Sequence, residues 1–229
     1  MDYIVKGFKD ALNLLVSFDK EVFSIVSLSL FVSITATIIG SLISVPLSVY
    51  FGIKEFRWKK LFSRITYTMM SIPTVVIGLV VVIILARKGP FGRFDLLYTR
   101  KAMIIAQVLL VSPYVFGLTY GLAKSRGEII EKIGLALGAN RLEIIVLIIR
   151  ELKVDILVNV ATSFSRAISE VGAVMIVGGN IKHHTRVITT TISMMNSMGD
   201  YPMAIALGII LILISFVIHS IIYSYSEEK

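Results

Sequence analysis

The 229-residue chain has no cysteine, one tryptophan, three histidines and five prolines. Without cysteine there is neither a disulfide framework nor a thiolate metal site, and the redox compartment cannot be read from the sequence. His183 and His184 are neighbours whose side chains point different ways, and His219 stands far off, so no metal site is expected. The same scarcity leaves no convergent catalytic set for a membrane enzyme. No G-x-x-x-x-G-K-[ST] phosphate cradle occurs, so the chain is expected to hydrolyse nothing and to carry no cofactor of its own. Charge is scarce too, at 17% of residues against about a quarter in soluble domains. A water-soluble fold of this size could not hide the apolar surface that remains. A period of 20 to 50 residues, a low-complexity tract and a heptad array are all missing.

What is present is apolar sequence: 56% hydrophobic residues and a mean hydropathy of +0.86. In hydrocarbon every backbone polar group must be satisfied internally, so uncharged runs of about 20 residues read as helices. Four runs are plain, from Val22 to Ile53, Ile65 to Ala86, Ala102 to Ala123 and Tyr201 to Ser226, and Ile156 to Ile181 makes a fifth but for Arg166 and Glu170. The expectation is an all-α integral membrane protein with one membrane domain over 22–225. Its five spans lie near 22–51, 65–86, 102–123, 156–178 and 202–225. Residues 1–18 carry charge throughout, which argues against a cleavable signal peptide. Tyr3, Ile4, Phe8, Ala11, Leu12 and Leu15 share one face, apart from Lys6, Lys9, Asp10 and Asn13, as in a helix lying in the membrane interface.

Pro46, Pro73 and Pro113 fall inside spans, where each removes a hydrogen bond and invites a bend, while Pro202 starts the last span at little cost. The net charge of +8 lies between the apolar runs, where it meets anionic headgroups or an acidic partner, and nucleic acid is not needed to explain it. Lys54 to Lys60, with Trp58, reads as an interfacial anchor. Basic residues are split almost evenly between the two sides, so the positive-inside bias hardly decides the orientation.

Arg166 and Glu170 are four apart on one helical face, where they pair as a gate or as a strut. Thr162, Ser163, Ser165 and Ser169 nearby, and Thr189, Thr190, Thr191 and Ser193 further on, offer hydroxyls either to a polar path or to helix packing. The longest polar stretch, 124–155, has helical periodicity. Ile129, Ile130, Ile133 and Leu137 form a stripe that breaks at Gly138, and Leu142, Ile145, Leu147, Ile148 and Leu152 resume it. Helix, glycine turn and second helix would present a knob to a partner or merely cover the bundle.

In that stretch Gly138-Ala139-Asn140-Arg141, with Ile148 ten residues after the glycine, resembles the signature loop of binding-protein-dependent ABC importer permeases. Lys132, Ile133 and Gly134 stand where that pattern has Glu-Ala-Ala, Glu131 comes one place early, and Arg150-Glu151 replace Leu-Pro. Further on, Arg166 to Ala173, Gly178-Gly179-Asn180 and Thr185-Arg186 resemble molybdate and tungstate permeases. The similarity runs from about Val26 to the last span. The Ile149-Arg150-Glu151 ending and the Ser169 to Asn180 run look most like the tungstate branch.

The resemblance implies a type I ABC importer permease fold working as a dimer of two copies. Two separate ATP-binding subunits would supply ATP and Mg, and an extracytoplasmic oxyanion-binding protein would deliver tungstate or molybdate. It implies a cytoplasmic coupling loop at 124–155, with Glu131, Gly134, Gly138, Ala139, Asn140, Arg141 and Ile148 as docking candidates, hence an external N-terminus and a cytoplasmic C-terminus in the cell membrane. Thr162, Ser165, Arg166, Ser169, Glu170 and Gly172 become candidates for the translocation path or gate, and Asn180, Lys182, Thr185 and Arg186 for the outer loop. Another solute, such as sulfate, methionine or phosphate, and an autonomous channel or secondary transporter stand as alternatives.

Overall fold

The computed structural model describes residues 2–17 and 19–227; residues 1 and 18, the limits of the expected interfacial helix, and the C-terminal 228–229 lie outside the described residues. Among the described residues all regular structure is helical. Helix α1 (Asp2–Val16) lies against the last helix, α10 (Tyr201–Glu227). The Asp19 carboxylate accepts from the Glu21 and Val22 N–H groups at 2.9 and 3.0 Å, and this cap starts α2 (Lys20–Ile53).

The frame of the molecule is α2 packed along α5 (Arg100–Ala136). Ser29, Ser33, Ala36, Gly40, Ser44, Ser48 and Gly52, three or four residues apart on α2, are all buried. Small residues let two backbones approach closely in a membrane, where apolar burial alone drives nothing. A Cβ at Gly52 would stand 2.7 Å from that of Ala123, and Ser44 Oγ donates to the Ser112 carbonyl at 3.2 Å. Gly40 beside Ser112 and Gly52 beside Ala123 make the two helices parallel. Their N-terminal ends therefore share one face of the bundle, and Ile53 and the charged end of α5 share the other.

Two expected spans are broken. Residues 65–86 divide into α3 (Lys59–Met70) and α4 (Thr74–Leu85), bent by 90°. Pro73 is extended, with ψ 131°, and caps α4 rather than kinking a continuous helix. Pro46 and Pro113, by contrast, sit inside unbroken helices. The fourth span divides into α7 (Lys153–Ile168) and α8 (Gly172–Gly178), bent by 56° around Ser169–Val171. Glu170 thus lies in a break, not in mid-helix. Residues 102–123 do not end at 123, because α5 runs on to Ala136 before a turn leads into α6 (Arg141–Glu151). A helix not foreseen, α9 (Ile188–Met198), packs on α10. Helices α2, α5 and α10 are each long and apolar enough to cross a membrane, and the total rises to five if each bent pair forms one span.

The core is strung along this frame. Val22, Ile25, Ile188 and Leu207 pack at the N-terminal end of α2, and Val32, Met103, Val174 and Val187 pack deeper. Val49, Ala123, Ile144, Ile148, Leu152 and Ile156 close the far end. Phe51, Phe62, Phe116 and Tyr120 join α3 to α2 and α5, with 2.6 Å between the hydroxyls of Ser63 and Tyr120. Large side chains such as Leu42, Ile83 and Phe216 remain exposed, as suits surfaces that meet lipid.

Candidate functional site

At the far end of the frame, α5 and α6 form a helix-turn-helix that the sequence specifies residue by residue. Gly138 has φ +82°, a left-handed conformation that an L side chain adopts only under strain. The Ala139 N–H donates to the Gly134 carbonyl at 2.9 Å, which closes the C-terminus of α5. Asn140 Oδ1 then accepts from the Leu142 and Glu143 N–H groups at 3.0 Å, and the Asn140 N–H donates to Glu143 Oε2 at 2.7 Å, a complete capping box. Gly134 is buried because α6 lies so near that a Cβ there would stand 3.2 Å from Ile144.

The docking candidates separate into two groups. Ile148 is fully buried in the cluster with Val49 and Ala123, so it anchors α6 and presents nothing to a partner. Ala139 packs against the same cluster. Asn140 and Arg141 are exposed, and Glu131 is half-buried. Around them stand apolar residues outside the apolar runs, with Leu137 at 82% and Leu142 at 75% exposure, joined by Ile133 and Val146. In the charged last third of α5, Lys132 donates to Glu128 at 2.7 Å. That hydrogen bond and the ammonium charge hold the Glu128 carboxyl below its usual range and raise Lys132.

Glu170 and Gly172 lie in the break between α7 and α8, and Arg166 stands just before it. Glu170 is 2% exposed; its Oε1 accepts the Ala173 N–H at 3.0 Å and its Oε2 accepts Arg166 Nη1 at 3.1 Å. The carboxylate therefore caps α8 while Arg166, 34% exposed and 5.9 Å from the centre of the Tyr114 ring, balances its charge. The Glu170 carbonyl accepts Thr189 Oγ1 at 2.5 Å. Gly172 lets α4 come close, since a Cβ there would stand 2.9 Å from Val75. Thr162, Ser165, Arg166 and Ser169 follow one another along a single, partly exposed face of α7. Thr162 and Ser169 donate to carbonyls four residues back, and Ser165 shares a 2.8 Å hydrogen bond with His219 on α10.

The outer-loop candidates also divide. Thr185 is buried, donating to the Gly178 carbonyl at 2.6 Å and accepting the Ile181 N–H at 3.0 Å. Asn180 accepts Thr190 Oγ1 at 2.9 Å. Both are braces of the loop. Lys182 and Arg186 reach Glu21 instead, at 2.8 and 3.7 Å. Glu21, Arg100, Gln107 and His219 escaped the sequence reading as site residues, because their contacts join positions 54 to 161 residues apart. Only the charge of Glu21 at the start of an apolar run hinted at a role.

With this geometry in place, the class follows: residues 44–227 match the family of binding-protein-dependent transport system inner membrane components, and the chain belongs to that family. It is a multi-pass membrane transport subunit rather than an enzyme. The chain is 62% identical to a tungstate uptake system permease protein, TupB, of Peptoclostridium acidaminophilum over 100% of both chains. It is 37% identical to the protein of the same name from Campylobacter jejuni, over 96% of this chain and 92% of the relative. A probable anion ABC transporter permease of Haloferax volcanii is 36% identical over 82% and 84% of the two chains.

Proposed function

We propose that this chain is the membrane-spanning subunit of an ATP-driven importer for a tetrahedral oxyanion, tungstate or its near equivalent molybdate. The observation that carries the reading is the full-length 62% identity to a protein named for tungstate uptake. Its geometry agrees, with a rigid knob at one end, a cationic mouth at the other and a polar helix face between.

Two copies would form the path, each crossing the membrane five times, with α3–α4 and α7–α8 as broken spans of a type I permease fold. The α5–α6 turn lies on the cytoplasmic side, so α2 begins and α10 begins outside, and α1 rests on the outer interface. Leu137, Leu142, Val146 and Arg141 form a patch that an ATP-binding subunit would cover, since an exposed apolar cluster of this kind marks an interaction surface. ATP and Mg stay on that subunit. A binding protein delivers the anion to the outer face. Closure of the two ATPases moves both knobs and exchanges inward-open for outward-open states.

The exposed face of α7 with Thr162, Ser165, Arg166 and Ser169 is ill-suited to lipid and faces the path or the second copy. Hydroxyls already bonded to their own backbone bind an anion weakly, as a path must if release is not to stall. The test is reconstitution of the chain with its ATPase and binding protein in proteoliposomes. Tungstate uptake should require ATP and loaded binding protein. Anion flux through the chain alone would refute the reading, and uptake of sulfate in preference to both metal oxyanions would move the substrate.

A further inference from the structure

At the outer end of the frame a cavity of about 280 Å³ opens among Glu21 and Ser24 of α2, Arg100 at the start of α5, and Lys182, His183 and Arg186 of the α8–α9 loop. Three permanent cations face one carboxylate, which leaves two positive charges unmatched among the described residues. The carboxylate is shared unevenly. Lys182 Nζ is 2.8 Å from Glu21 Oε2, but Arg186 Nη1 is 3.7 Å from Oε1, beyond the distance of a charge-assisted hydrogen bond. Arg100 is drawn aside, its Nε donating to the His184 carbonyl at 3.1 Å.

Arg186 is the decisive group. Its side chain is 14% exposed, and its Nε is buried with no acceptor among the described residues. A guanidinium taken this far out of water and left partly unpaired is costly unless something else completes it. The fork of N–H groups matches two oxygens of a tetrahedral anion, a recognition that a lysine cannot reproduce. We propose that this cavity is an entry site for a free oxyanion dianion, which binds Arg186 and Lys182 in place of the Glu21 carboxylate. Glu21 is the resident surrogate: it occupies the cations when the site is empty and keeps the anion's hold weak, so that the ion moves on. The match to a dianion rests on the importer reading above for its ligand class, whereas the unmatched charge does not.

The experiment is equilibrium dialysis of sodium tungstate against the assembled permease–ATPase complex in nanodiscs, without binding protein, read by elemental mass spectrometry. Glu21→Gln should tighten binding about tenfold and Arg186→Gln should weaken it at least about tenfold, with Arg186→Lys in between and all affinities falling as salt rises. Lys182→Gln should also weaken binding, which keeps the test decisive if the Arg186 variants do not assemble. Equal binding by wild type and the Arg186→Gln or Lys182→Gln variant, or no gain in Glu21→Gln, overturns the site. Discs of phosphatidylcholine alone and discs containing phosphatidylglycerol should bind tungstate alike. Loss in the anionic discs would assign the cavity to a lipid phosphate and overturn the proposal. An unchanged tungstate affinity beside weaker docking of the binding protein would overturn it in favour of a protein carboxylate. ATP-driven uptake by the wild type is measured in parallel. Uptake without this binding sinks the entry site alone, and binding without uptake sinks the importer reading alone.

Discussion

Arg166→Gln should destabilise the protein more than Glu170→Gln does, and the double variant should recover most of the loss. The asymmetry follows from burial, since the carboxylate is 2% exposed and the guanidinium 34%. Removing Arg166 leaves Glu170 as a buried charge with only the Ala173 N–H, among the described residues, to solvate it. Breaking a fully buried pair this way costs about 3–5 kcal/mol, which the partial exposure of Arg166 lowers to about 2–3 kcal/mol. Glu170→Gln keeps an oxygen acceptor for the Ala173 N–H and frees Arg166 to meet solvent and the Tyr114 ring, a cost of about 1 kcal/mol. For a chain of this length 1 kcal/mol is worth about 2–4 °C in Tm. Thermal denaturation in detergent, followed by fluorescence-detected size exclusion, should therefore show a fall of about 4–12 °C for Arg166→Gln and about 2–4 °C for both Glu170→Gln and the double variant. Transport should follow stability. If instead the single variants kept the wild-type Tm while uptake vanished, or if the two losses simply added, the pair would be a gate and the strut argument would be wrong.

Three further outcomes are expected. Gly138→Val should insert normally yet lose most ATP-coupled uptake, because a β-branched residue at φ +82° costs about 1–2 kcal/mol or more and the turn must shift, whereas Gly138→Asn should keep it; parallel uptake and ATPase assays decide. Gly78→Leu should lower Tm sharply, since even a Cβ there stands 2.8 Å from the Ala173 Cα and the clash is with backbone; a melting curve within 2 °C of wild type would contradict the close α4–α8 packing. The chain has no cysteine of its own, so single cysteines report topology directly. Lys88→Cys should react with a membrane-impermeant maleimide in intact cells and Leu137→Cys only after permeabilisation, and the reverse would invert the proposed orientation.

Hydropathy located every long apolar element, because about 20 uncharged residues can hardly be anything but helix in a membrane. It could not show where those elements break. Pro73 and Pro113 look alike in sequence, yet one starts α4 and the other lies inside α5. The difference is what surrounds them: Ser71 and Ile72 precede Pro73 outside any helix, while α5 runs unbroken through Pro113 and packs against α2. The helix-turn-helix was legible, since Gly138 breaks an apolar stripe that resumes at Leu142. That Ile148 points inward was not, because both faces of α6 carry isoleucine and leucine, and only the position of Val49 and Ala123 decides which is covered. The Glu21 contacts were illegible for a simpler reason. Nothing in one sequence marks residues 161 apart as neighbours.

Three polar residues deep in the bundle, Gln107, Glu170 and Thr189, have one structural explanation in common, which is the break at Ser169–Val171. Interrupting a helix at membrane depth frees backbone N–H and C=O groups that water cannot reach, each worth several kcal/mol if left unpaired. Several such groups in the neighbourhood find a side chain. Gln107 Nε2 donates to the Ala167 carbonyl at 3.1 Å, Glu170 Oε1 takes the Ala173 N–H, and Thr189 Oγ1 donates to the Glu170 carbonyl. Ser29 Oγ accepts the Ile188 N–H at 2.8 Å where α9 begins. Thr74 and Val75, just past the break at Pro73, lie within 2.9–3.3 Å of where a Cβ at Gly172 would stand, so the two bent helix pairs break against each other. Half-helices of 12 and 7 residues cannot cross the bilayer alone, and they hold their place because α5 passes unbroken beside both. Read from the sequence, Gln107, Glu170 and Thr189 are three separate polar oddities. In the fold they are the local partners that a discontinuous helix requires, and Arg166 is present because one of those partners is charged.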